Sequence, residues 1–175
     1  RLSELVLALK SYSFLDQAPV QQTDIGKGIQ DTLLILRSKI KDITIEQAIE
    51  PDLPAITAFG SQLNQVWTNL LDNAADALVT SQTPQPTITI RARRDDDHVV
   101  VEVEDNGPGI PEDVVGHVFE AFYTTKAPGS GTGIGLNTVY SIIVNDHRGT
   151  IDVQSEPGST VFCVRLPIDF EADSG

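Results

Sequence analysis

The stretch TITIRARRDDDHVVVEVEDNGPG, residues 87–109, decides the architecture. Ile88 and Ile90 alternate with polar neighbours up to Arg93, Asp95 to Asp97 form a polar turn, and Val99 to Glu104 is a second apolar-rich run. Alternation with a period of two marks a half-buried strand, and two such runs joined by a short turn predict an antiparallel hairpin. The second strand runs directly into Asp105-Asn106-Gly107-Pro108-Gly109. An Asp just past a strand can aim its carboxylate at a ligand's amino group, while glycines after it let backbone approach closely. An ordinary Asp-Asn-Gly turn has the same spelling.

Working outward, the longest helical pattern opens at Ser61 and runs through Leu63, Val66, Trp67, Leu70, Ala74, Ala77 and Leu78. An earlier helix starts behind the N-cap Asp24 and carries Ile25, Ile29, Leu33, Leu36 and Ile40 on one stripe. Between them Ile43, Ile45 and Ile49 predict a strand that Pro51 and Pro54 end in a loop. After the hairpin, glycine-rich stretches at 107–109 and 129–135 bracket an irregular segment. A helix follows over roughly 134–147, and strands at 151–154 and 160–166 close the chain around Pro157-Gly158. The first 15 residues place Leu2, Leu5, Leu9 and Tyr12 at helical spacing and read as the end of a longer helix. Five strands and three main helices amount to an α+β fold, a two-layer sandwich of a mixed sheet with helices on one face. The hairpins argue against a doubly wound sheet.

With 175 residues and 40% apolar content, the chain has material for one core. Its 12 basic against 25 acidic residues give a net charge of −13, which argues against nucleic acid and against contact with an anionic membrane. A polyphosphate ligand would need positive potential supplied locally, by helix N-termini, a metal or a well-placed lysine. Cys163, the one cysteine, excludes an internal disulfide and a cysteine-rich zinc site, points to the cytoplasm, and reads as a packed strand residue among Val161, Phe162 and Val164. No apolar run approaches the ~20 residues of a membrane span, and Arg1-Leu-Ser-Glu begins no signal sequence.

On the helix from Ser61, Asn69, Asn73 and Asp76 share a polar stripe separate from the apolar arc. Asparagine is an indifferent helix former, and its amide oxygen can complete a Mg²⁺ shell otherwise made of water and phosphate. Solvated surface asparagines fit the same spacing. Further on, Gly129-Ser-Gly131-Thr132-Gly133-Ile134-Gly135-Leu136 runs into a helix with Leu136, Val139, Tyr140 and Ile143 on its inner side. Glycines before a helix expose N–H groups at the positive end of its dipole and can cradle an anion. The loop is neither a P-loop nor a dinucleotide fingerprint, since Gly-Lys-Ser/Thr and a first strand with a later ribose-binding acid are both missing.

Taken in order, these elements resemble the GHKL ATP-binding family and, within it, the sensor histidine kinases. Asn69-Leu-Leu-Asp-Asn73-Ala-Ala-Asp-Ala77 resembles the N box and Asp105-Asn-Gly107-Pro-Gly109-Ile110 the G1 box. Phe119-Glu-Ala-Phe122-Tyr-Thr124-Thr125-Lys126 is similar to the F box and Gly131-Thr132-Gly133-Ile134-Gly135-Leu136 to the G2 box. The resemblance covers residues 24–168. It implies a Bergerat-type sandwich holding ATP and Mg²⁺, with Asp105 receiving the adenine amino group, Asn73 holding the metal, Asn69 nearby and Lys126 meeting a phosphate. Asn69, Asn73 and Lys126 are the implied catalytic residues. Gly131, Gly133 and Gly135 would line the phosphates, and Phe119 and Phe122 would pin an ATP lid spanning 111–132. Asp76, Gly107, Gly109, Ile110, Thr124, Thr125, Thr132, Ile134, Leu136 and Thr160 complete the expected nucleotide-binding set.

Gyrase, mismatch-repair and chaperone members of the family carry a glutamate four residues before the metal asparagine, as general base for water, where this chain has Asn69. An amide cannot take that proton, so transfer to an acceptor is favoured over hydrolysis. In a histidine kinase the acceptor stands on a dimeric helical bundle, and none of His98, His117 and His147 resembles it. His147 reads as a helix-end residue at the negative pole of the dipole. The expected organisation is residues 1–18 as the end of the second dimerisation helix and linker, 19–170 as the catalytic domain, and 171–175 as a tail. The implied partners are the protein's own dimerisation and histidine-phosphotransfer domain, in a homodimer, and a response-regulator receiver domain. A nucleotide-binding module without kinase activity and a GHKL ATPase are the alternatives.

Overall fold

A computed structural model describes residues 4–5, 20–120 and 135–169. Strand β1 (Gln21–Thr23) leads into helix α1 (Ile25–Ile35), capped as its sequence demands: the Asp24 carboxylate accepts the Lys27 N–H at 3.0 Å. Strands β2 (Thr44–Ile49) and β3 (Ile56–Ala58) precede the 21-residue helix α2 (Gly60–Thr80). The predicted hairpin is β4 (Thr87–Asp95) and β5 (His98–Asp105). A short helix α3 (Glu112–Val115), helix α4 (Gly135–Tyr140) and strands β6 (Thr150–Glu156) and β7 (Ser159–Pro167) complete the described elements.

The five predicted strands form one mixed sheet in the order β2-β4-β5-β7-β6, with β2 parallel to β4 and every other pair antiparallel. Side-chain parity then sorts its two faces. Ile88, Ile90, Ala92, Val99, Val101, Val103, Phe162, Val164 and Leu166 point into the core, where they meet Leu63, Trp67, Leu70, Leu71 and Leu78 of α2 and Ile25 and Ile29 of α1. The outer face carries ion pairs between neighbouring strands, among them Arg93 with Glu102 at 2.9 Å and Arg91 with Glu104. The expected two-layer α+β sandwich is thus the observed one.

Several local features differ from what periodicity predicts. β1 and β3 pair as a separate two-stranded sheet, Gln21 opposite Ala58 and Thr23 opposite Ile56. Three residues are too short to display an alternation in sequence. The last helix abandons α geometry after Tyr140 and continues as a π-helix over Ser141–Asp146. The wider winding turns the adjacent Ile142 and Ile143 inward together and leaves Tyr140 39% exposed rather than on the inner face. His147 is not a charged dipole partner. It is buried, its Nδ1–H donates to the Ile142 carbonyl at 2.8 Å, and its Nε2 accepts the Phe59 N–H at 3.0 Å. Burial holds its pKa below the ordinary range, so the neutral imidazole ties the end of the last helix to the start of α2. Cys163 lies half-buried on the outer face between Glu102 and Asp152, and burial raises its thiol pKa. Of the first 15 residues only Glu4 and Leu5 are described, and both are helical. No helix among the described residues is long and apolar enough to cross a membrane.

Candidate nucleotide site

The parity that fills the core also places Asp105. It continues the inward series Val99, Val101, Val103, so its carboxylate projects to the buried side of the sheet and is only 4% exposed. Its Oδ1 accepts the Gly107 N–H at 2.9 Å. Burial raises the Asp105 pKa above its ordinary value, against the Gly107 hydrogen bond that lowers it, and no basic side chain among the described residues pairs with it. A carboxylate so placed can accept a further hydrogen bond from a ligand's amino group through its second oxygen.

The loop after Asp105 is held by backbone and hydroxyls. Gly158 N–H donates to the Gly107 carbonyl at 3.0 Å, and Ile110 N–H donates to Ser155 Oγ at 2.7 Å. Ser155 Oγ lies 2.8 Å from the hydroxyl of buried Thr160, the cross-strand partner of Asp105. Glycine is required twice. A Cβ on Gly107 would stand 2.8 Å from Asp105 Oδ1, and Gly109 has φ +88° with its Cβ position 2.6 Å from the Glu156 carbonyl. Beneath the loop, Leu78 of α2 lies 3.6 Å from that Gly107 position, which brings the acid and the N-box helix to one wall.

On α2, Asn69, Asn73 and Asp76 are half-buried along one stripe, as the spacing predicts. Asn69 Nδ2 donates to the Gly135 carbonyl at 3.3 Å, joining this stripe to the start of the G2 helix. Asp76 is held by Lys39 at 2.6 Å. Asn137 Nδ2 donates to the Phe119 carbonyl at 3.1 Å, and the Phe119 ring packs against Tyr140 and Phe162. Gly135 and Leu136 open α4. Phe122, Thr124, Thr125, Lys126, Gly131, Thr132, Gly133 and Ile134 lie outside the described residues, as does most of the expected lid. Its first part, read as irregular, contains α3 at 112–115. The sequence reading missed Ser155, Asn137 and Lys39. A serine in a strand, an asparagine in a helix and a lysine in a turn carry no signal until the fold shows what they touch.

The donor set fits magnesium with nucleotide better than a protein-caged metal. Among the described residues no three His, Cys, Asp or Glu side chains cluster to hold an ion. A lone amide oxygen from Asn73 suits Mg²⁺, which keeps water and takes phosphate oxygens as its other ligands.

The sequence profile of the histidine kinase-, DNA gyrase B- and HSP90-like ATPases matches residues 60–169. The chain belongs to that family. Among its relatives, the sensory histidine kinase/phosphatase NtrB of Rhizobium leguminosarum bv. phaseoli is 33% identical over 91% of this chain and 45% of its own length. Sporulation kinase E of Bacillus subtilis is 36% identical over 87% of this chain and 20% of its own length. The chain therefore spans less than half of these relatives. Solved structures of the family superpose closely. The mycobacterial sensor histidine kinase MprB matches with a TM-score of 0.73 and 27% identity over 86% of this chain and 99% of its own. Full-length ShkA in complex with AMPPNP matches with a TM-score of 0.73 and 26% identity over 98% of this chain and 36% of its own.

Proposed function

We propose that the chain is the ATP-binding catalytic part of a sensor histidine kinase. It binds Mg-ATP and passes the γ-phosphoryl to a histidine on a dimerisation and phosphotransfer domain, for relay to a response-regulator receiver domain. The observation that carries the reading is the buried Asp105 at the sheet end, followed by glycines that admit a ligand to backbone contact and lying over Leu78 of α2, the helix that carries the asparagine stripe.

In this reading the Asp105 carboxylate accepts the adenine amino proton, and Ser155 and Thr160 hold the strand ends and the Ile110 loop around the base. Asn73 and Asn69 face the phosphates, and the Asn69 bond to Gly135 fixes the helix start against which the phosphates lie. Lys126 and Gly131, Gly133 and Gly135 serve the same end. Bound magnesium would neutralise phosphate charge. What the chain itself supplies is position and electrostatics, which is most of what phosphoryl transfer asks of a protein. Of the histidines, His147 is kept from serving as acceptor by its burial and by hydrogen bonds at both ring nitrogens.

Asn69 argues against hydrolysis as the principal activity. Its Nδ2 is directed to the Gly135 carbonyl, and an amide has no basic site for a proton from water. The chain should bind Mg-ATP saturably in calorimetry while releasing inorganic phosphate only at the rate of buffer. Sustained multiple-turnover release would replace the kinase reading with an ATPase.

A further inference from the structure

Helix α2 sets Asp72 and Asp76 one turn apart around Asn73, on a chain whose net charge is already −13. Two carboxylates next to a triphosphate site repel the ligand that the site is read as binding. The fold answers with a residue remote in sequence. Lys39, in the turn between α1 and β2, places its ammonium on both carboxylates, 2.6 Å from Asp76 Oδ1 and in contact with Asp72 Oδ1. Lys27 pairs within α1, while Arg91, Arg93 and Arg165 pair across the sheet strands.

We propose that Lys39 is a further residue of the phosphate end of the site, a positioning and counter-charge residue whose ammonium offsets one of the two negative charges of Asp72 and Asp76 and so lowers the repulsion a polyphosphate meets beside Asn73. The inference rests on the nucleotide reading above. Stability is a poor reason for the pair. The Lys39 side chain is 36% exposed and that of Asp72 is 42% exposed, and ion pairs so open to water contribute little to folding. Its charge is secure. Partial burial works against it, but hydrogen bonds and attraction from the two carboxylates hold the Lys39 pKa above the ordinary 10.5.

The test is to titrate ATP, ADP and adenosine, with Mg²⁺, into wild type, Lys39→Ala, Lys39→Arg and the double variant Lys39→Ala/Asp72→Asn. Lys39→Ala should lose roughly tenfold in ATP affinity, less for ADP and nothing for adenosine, because one charge at short range acts on ligand charge alone. High salt should shrink the loss. Lys39→Arg should stay within about twofold of wild type, since it keeps the charge, and the double variant should recover most of the ATP affinity. Undiminished ATP binding by Lys39→Ala, an equal loss for adenosine, or no recovery in the double variant would each overturn the proposal. A wild-type chain that binds adenosine but not ATP would also overturn it. A wild type that takes none of the three would instead sink the nucleotide reading on which it rests.

Discussion

Asp105→Asn is expected to lower ATP affinity by roughly 10- to 100-fold, the equivalent of the ~1.5–3 kcal/mol that a charge-assisted hydrogen bond contributes. The substitution keeps the shape, and the new amide oxygen could still accept the Gly107 N–H that Asp105 Oδ1 accepts at 2.9 Å. What it removes is the second acceptor. An amide that gives its oxygen to Gly107 turns its NH₂ toward the adenine amine, so donor faces donor. The fold should not suffer. Because the Asp105 pKa is raised by burial, ionising it destabilises the free protein, a cost that grows as pH rises through the folded-state pKa and that the amide does not incur. Melting should therefore show the variant at least as stable as wild type near neutral pH. The same shift gives wild-type binding an acid limit. Affinity should be full above the raised pKa and fall as pH drops through it, because the protonated acid must lose its proton to accept from adenine. The variant should show no such limb. Wild-type affinity in Asp105→Asn would remove the carboxylate from the site.

Asn73→Ala should cost at least tenfold in ATP affinity in the presence of Mg²⁺ and far less in EDTA, since the side chain is assigned to the metal and not to the base. Asn73 is half-buried on α2, and alanine is the better helix former. A folding defect is therefore not expected to confuse the result. Calorimetry with and without chelator decides it, and equal losses in both would make Asn73 a structural residue.

Most of the fold could be read from the chain because its large elements announce themselves twice, by hydrophobic period and by end signals. α1 has both the Ile25, Ile29 stripe and the Asp24 cap, and the β4–β5 hairpin has both its alternation and its aspartate turn. α2, with Phe59 at its N-cap position and no side-chain cap, is legible from its period alone, whereas elements too short or too dependent on packing to show a period are not. β1 and β3 are three residues each, and the π-helical end of the last helix depends on how Ile142 and Ile143 seat together in the core. The site divides in the same way. The strand-end position and parity of Asp105 and the spacing of Asn69 and Asn73 are written locally. The Ser155–Thr160 hydroxyl pair, the Asn137 bond to Phe119 and the Lys39 contact with α2 join residues from separate elements. His147 shows the limit most plainly. Its place at a helix end suggested charge, but its burial against Phe59 makes it neutral. Sequence gives the end of a helix without saying what packs over it.

Phosphoryl transfer to a histidine can be measured directly. The chain would be incubated with γ-labelled Mg-ATP, alone and with a separately supplied acceptor-helix domain of a histidine kinase, and protein-bound label tested for the acid lability of phosphohistidine. No label is expected on the chain by itself, since His147 is buried and doubly bonded and His98 and His117 sit at a strand start and beside α3. Label should appear on the added helix and be lost with Asp105→Asn. Label on this chain in the absence of the helix would show that the acceptor lies within it and overturn the transfer reading.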